Sequence, residues 1–126
     1  MGSPTTSRHA GYRVPRIVAD LCAARPVDIA LIDGIESVSG GEGPWIKGLK
    51  LVQPGVLIAG TNPVTTDAVA TAVMGYDPQA QKGTKPFATC DNTLLLAEGH
   101  GIGTTDLKRI EVRGVPIAQA LYKFDA

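Results

Sequence analysis

The sequence predicts an α/β domain: a small, mostly parallel sheet of about three strands packed with three to four helices. Three observations carry that expectation. Apolar residues recur at three- and four-residue steps over residues 14–24 and again over 64–73, which is helical spacing. Short apolar runs at residues 27–32 and 56–59 have the length and composition of buried strands. The two kinds of segment alternate along a chain of 126 residues, enough for one core and too few for two.

The elements follow in order. Residues 1–12 are polar and read as a loose or tag-derived arm, leaving 13–126 as a single α/β domain. Val14, Ile17, Val18, Leu21 and Cys22 form the stripe of an amphipathic helix, with Pro15 tolerated in its first turn. The strand at 27–32 ends on Asp33-Gly34, and residues 34–50 read as a loop. A second strand follows over 51–59, interrupted by Pro54-Gly55. Asn62 then caps a helix that begins with Pro63, buries Val64, Ala68, Val69, Ala72 and Val73, and stops at Gly75. Residues 76–89 form a second long loop. Asp91 or Thr89 caps a helix through Leu94–Ala97 that ends at Gly99-His100-Gly101. Ile110-Glu111-Val112 alternates like an edge strand, and Pro116 opens a last short helix carrying Ile117, Ala120 and Leu121. Parallel crossovers are expected between the strands.

Composition narrows the function classes. Apolar residues are 44% and charged residues 19%, as in an ordinary folded domain. Twelve basic and twelve acidic residues cancel, leaving no global field for nucleic acid or an anionic membrane. Arg8, Arg13, Arg16 and Arg25 lack interleaved aromatics and read as a solvated face. Cys22 and Cys90 form no CxxC or Cys/His cluster, so a zinc or iron–sulfur centre built by this chain is not expected. No apolar run reaches a membrane span, and the first 25 residues lack a secretory signal, so the default expectation is cytoplasmic. The excess lies in Gly and Pro, 15 and 9 residues, and seven of the glycines fall between Gly34 and Gly60. The same stretch is acidic, with Asp28, Asp33, Glu36, Glu42 and Asp67 nearby against Lys47 and Lys50.

Several ordered blocks carry a resemblance. They are Arg25-Pro26-Val27-Asp28-Ile29-Ala30-Leu31-Ile32-Asp33-Gly34-Ile35-Glu36 and the loop Gly40-Gly41-Glu42-Gly43-Pro44-Trp45. The corner Ile58-Ala59-Gly60-Thr61-Asn62-Pro63-Val64 follows, continuing as Thr66-Asp67-Ala68-Val69-Ala70 and closing on Met74-Gly75-Tyr76-Asp77-Pro78. Asp91-Asn92, Leu96-Ala97-Glu98, Gly101-Ile102-Gly103, Asp106-Leu107 and Ile110-Glu111-Val112 with Gly114 extend it over residues 13–118. Together they resemble the DUF362 family, prokaryotic domains of unknown function. The resemblance implies the C-terminal part of that family's domain, with a further stretch upstream and, in some members, ferredoxin-like segments or export signals. Many members place a glutamate before the second glycine of the loop; here Gly40 stands there and Glu42 follows two later. The resemblance names no reaction.

The residues themselves suggest a site. Open α/β sheets bind ligands beyond the carboxyl ends of their strands, where Asp33 and Asn62 fall. Gly41 and Gly43 let the loop backbone approach a ligand, and Trp45 is a stacking platform or, more simply, a plug over the core. Asn62, Thr66 and Asp67 open a helix whose free amides attract an anion. Asp33, Glu42 and Asp67 are hard oxygen ligands suited to Mg²⁺ or another divalent cation. The plainer alternatives are a turn at Asp33-Gly34, an ion pair of Asp67 with Arg13, a helix C-terminus at His100, and a core position for Cys22. Cys90 beside a helix start is a candidate reactive thiol. Two function classes remain. One is a domain binding a divalent metal or small anionic ligand; the other is a non-catalytic docking module pairing with an upstream domain, a second copy or an iron–sulfur partner.

Overall fold

The computed structural model describes residues 12–41 and 45–124. The arm expected over residues 1–12 lies outside them except for Tyr12. Helix α1 (Val14–Ala24) leads into strand β1 (Ala30–Gly34) and strand β2 (Ser37–Ser39). Strands β3 (Lys50–Val52) and β4 (Val56–Gly60) then return, followed by α2 (Pro63–Val73), α3 (Thr93–Gly99), a single 3₁₀ turn (Leu107–Arg109) and α4 (Ile117–Ala120). All four helices stand where the apolar spacing places them, although the cap of α3 is Asn92 rather than Asp91 or Thr89.

The sheet does not. The expected mostly parallel sheet of three strands is overturned: the strands form two antiparallel two-stranded ladders, β1 with β4 and β2 with β3. A parallel pair needs a crossover of about a dozen residues or more, usually a helix, and the described residues between 35 and 55 contain none. The chain therefore turns back on itself. Ile32 pairs with Ile58 in the first ladder and Val38 with Leu51 in the second, so the register slips by one residue between them. The slip sits at Gln53-Pro54-Gly55, where proline has no N–H for a ladder and Gly55 takes φ +71°. Asp33 is the penultimate residue of β1. Its Oδ1 accepts the Ile35 amide at 3.0 Å, while the Ile35 carbonyl still accepts the Gly55 amide at 3.3 Å. The segment 110–112 is extended at Ile110 but pairs with no strand.

The core is small-sided. Ala19 of α1, Val64 and Ala68 of α2, and Leu94 and Ala97 of α3 form one buried cluster, and the alanines let the three helices approach closely. Leu96, Ile102, Leu107 and Ile110 pack around it. Helix α1 turns Pro15 and Ala19 inward and leaves Val14, Ile17, Val18 and Leu21 exposed, so the stripe expected to be buried faces out. On its other side α2 packs against β1 and β4. The chain end is tied down by amides of Tyr122 and Phe124, which donate to the Val73 and Met74 carbonyls at 2.8 and 3.3 Å. The Ser39 hydroxyl donates to the Phe124 carbonyl at 2.8 Å, joining β2 to this tail.

Candidate functional site

The corner between β4 and α2 is built as the sequence suggests. Asn62 Oδ1 accepts the Thr65 amide at 3.0 Å, and its carbonyl accepts the Thr66 amide at 3.0 Å and the Thr66 hydroxyl at 2.7 Å. Pro63 has no amide, so within the first turn only Val64 keeps an unspent donor. An anion at this terminus would meet a helix whose donors are already used. Two glycines make the corner possible. A side chain on Gly60 would collide with the Thr66 hydroxyl, and one on Gly103, at φ +59°, would collide with the Asn62 carboxamide. Thr66 is buried and Asn62 half-buried. The Thr104 amide reaches Thr65 Oγ1 at 3.4 Å, pinning the 101–105 turn to the same corner.

The carboxylates do not gather there. Asp33 points to the exposed face of the ladder with Leu31 and Leu57, opposite the half-buried Ile32 and Ile58 that lie over α2. Asp67 lines a small crevice on the other side of α2, with Val18 and Cys22 of α1, Pro63 and Thr93. It keeps an exposed edge, yet this apolar setting holds its pKa above the ordinary 3.8 through desolvation. It makes no ion pair with Arg13 among the described residues. Glu42 and Gly43 lie outside those residues. Among the described residues no three His, Cys, Asp or Glu side chains group as a metal site. Gly41 lies against Ile46, whose side chain leaves no room for a Cβ. Trp45 is 74% exposed and so does not plug the core.

Other candidates resolve into structural roles. His100 caps the end of α3, and its Nε2 lies 3.0 Å from Asp20 Oδ1 of α1. Arg16 and Lys82 both approach Asp91, at 3.4 and 3.8 Å. Cys22 and Cys90 are free and partly buried.

Sequence reasoning missed the polar knot beneath α3. Asn92, not Asp91 or Thr89, is the cap: its Oδ1 accepts the Leu94 and Leu95 amides at 2.8 and 3.4 Å, and its Nδ2 donates to the Pro78 and Ala80 carbonyls at 2.8 and 3.0 Å. Thr105, fully buried, donates to Glu98 Oε2 at 2.5 Å, and Thr104 donates to Oε1 at 2.9 Å. These bonds, that of Thr105 first, hold the Glu98 pKa below its ordinary value. The local signal was Asn92 two residues ahead of an apolar run.

A groove of about 520 Å³ lies between β4 and residues 110–115, floored by Thr66, Val69 and Val73 of α2. Asn62 and Thr66 line one end of it; Asp33, Trp45 and Asp67 do not. No helix among the described residues is long and apolar enough to cross a membrane.

Comparison with known proteins is sparse. No curated protein and no solved structure matches the chain. One family model does, over residues 3–72, which takes in α1, both ladders and most of α2. Its description is "Domain of unknown function (DUF362)", the match spans more than half of the sequence, and the chain belongs to that family.

Proposed function

We propose that this chain is a docking module, whose outer apolar faces are covered by another polypeptide. One observation carries the reading: large apolar side chains stand exposed on α1 and on the ladder's outer face. Leu21 of α1 is 65% exposed, and Leu57 and Leu31 on the ladder's outer face are 62% and 68% exposed. Ile29 and Ile35 share that outer face, and Asp33 is the charge among them. Contiguous exposed apolar surface of this kind marks interaction sites on folded proteins. Among the described residues no group of three His, Cys, Asp or Glu side chains competes for the role.

The test is site-specific photo-cross-linking in the source organism, from positions 21 and 57 with position 108 as a polar surface control. Discrete products from 21 and 57 but not from 108 support docking. Equal labelling from all three positions, or none from 21 and 57, overturns it.

A further inference from the structure

We propose that the groove between β4 and residues 110–115 is a slot for one extended polypeptide strand, which hydrogen-bonds to both walls. The inference rests on the docking reading and names what docks. Its first support is the ladder's hydrogen-bond phase. In an antiparallel pair, residues alternate between hydrogen-bonded and non-hydrogen-bonded pairing. The Gly55 amide donates to the Ile35 carbonyl, so that pair is of the bonded kind, and two steps along so are Asp33 with Leu57 and Leu31 with Ala59. The amides and carbonyls of Val56, Ile58 and Gly60 must then point away from β1, to the free edge that forms the groove wall. No strand pairs with that edge among the described residues.

The opposite wall, residues 110–113 ahead of the bend at Gly114, forms no strand and pairs with none among the described residues. Ile110 has extended dihedrals, φ −105° and ψ 122°. Glu111 and Arg113 pair at 2.9 Å, which places residues two apart on one side, as in a strand. Beyond the Ile110 amide, which donates to Leu107, this segment makes no backbone hydrogen bond among the described residues. The free edge of β4 thus faces, across the groove, a segment whose 111–113 backbone groups are also unspent among the described residues.

The floor states what the occupant's side chains must be. Val69 and Val73 of α2 lie beneath the groove, so every second residue of the strand is apolar, and the others face solvent beside Leu57. The five residues of β4 set its length at roughly 17 Å, at about 3.3 Å per residue. A small molecule fits less well: Asn62 and Thr66 are spent on the helix cap, and Glu111 and Arg113 on each other. Each of the four strands of a second copy is already bonded along one edge and cannot lie between two walls. Strand addition of this kind draws affinity from main-chain bonds and specificity from alternate side chains.

The experiment joins a probe strand, Lys-Val-Thr-Ile-Thr-Val-Lys, to the amino terminus of the full chain through a flexible linker. A linker of about 25 residues spans roughly 28 Å and raises the local concentration to the millimolar range. A control carries proline in place of the central isoleucine, which removes an amide and breaks the strand. Amide hydrogen exchange is read by NMR. The proposal expects Val56, Ile58, Gly60 and the 111–113 amides to slow about tenfold with the probe strand and not with the proline control. Three results overturn it: protection of Val56, Ile58 and Gly60 in the unmodified chain, no protection with the probe, or equal protection with both strands. Loss of the cross-links from positions 21 and 57 would end the docking reading whatever the probe does. Their survival alongside a silent probe would end the slot alone.

Discussion

Truncating Leu57 to alanine measures directly whether the chain covers its own ladder. Leu57 is 62% exposed, so folding buries little more than a third of it. Full burial of a leucine stabilises by about 1.5–3 kcal/mol, so a third of that is about 0.5–1 kcal/mol. Leu94, 7% exposed within the three-helix cluster, provides the contrast within the same protein. The same truncation there removes a packed side chain and leaves a cavity, at about 2–5 kcal/mol. Urea unfolding followed by far-UV circular dichroism, with linear extrapolation, resolves that difference when the slopes are unchanged. Leu57→Thr runs beside Leu57→Ala, because threonine keeps strand propensity and separates burial from backbone preference. The expected result is a loss below about 1 kcal/mol at position 57 and at least twice that at 94. A loss above about 2 kcal/mol at position 57 would mean that this face is packed in the isolated chain, and the docking reasoning would fall.

Other outcomes follow from the same geometry. Gly103→Ala should cost about 2 kcal/mol or more, read as a fall in the urea midpoint, because φ +59° and the Asn62 carboxamide both exclude a Cβ. Glu98 and Asp67 should give opposite pH signatures in unfolding series at falling pH. The folded pKa of Glu98 lies below its ordinary 4.5, so its contribution is complete above that value and is lost as pH falls through the folded one; Glu98→Gln should weaken the fold at neutral pH and flatten that acid loss. The folded pKa of Asp67 is raised above 3.8 by desolvation, so its charge opposes folding at neutral pH; Asp67→Asn should stabilise there, with a gain that shrinks as the acid protonates.

The helices were legible because their signals are local. Asn62-Pro63 and the apolar spacing to Val73 specify α2 without help from anything distant, and the same holds for α1 and for the end of α3 at Gly99-His100. The ladders were not. Ser37-Val38-Ser39 is only three residues long, too short for its alternation to mark a strand, and residues 34–50 read as loop. Without β2 the return of the chain is invisible, and two apolar runs look like parallel neighbours. Ile110-Glu111-Val112 has the alternation but no strand beside it.

The candidate site divides along the same line. Asn62, Thr65 and Thr66 lie within one helical turn, so their association was readable. Whether Asp33 joins them depends on which face of β1 the helix α2 covers. That is settled by the burial of Ile32 against the exposure of Leu31, a tertiary fact that the run Ile29-Ala30-Leu31-Ile32, apolar at every position, does not encode. For α1 the period was right and the buried side was not, since Ala19 packs inward and Leu21 faces out.

Thiol accessibility at position 57 tests the docking claim most directly. Leu57→Cys and a Lys108→Cys control are treated with a maleimide, once as purified chain and once inside the source organism, and labelling is quantified peptide by peptide so that Cys22 and Cys90 do not interfere. Docking predicts that position 57 labels readily in the purified chain and about tenfold more slowly in the cell, while position 108 labels alike in both. Equal labelling of position 57 in the two settings would mean that nothing covers the ladder's outer face, and would contradict the account.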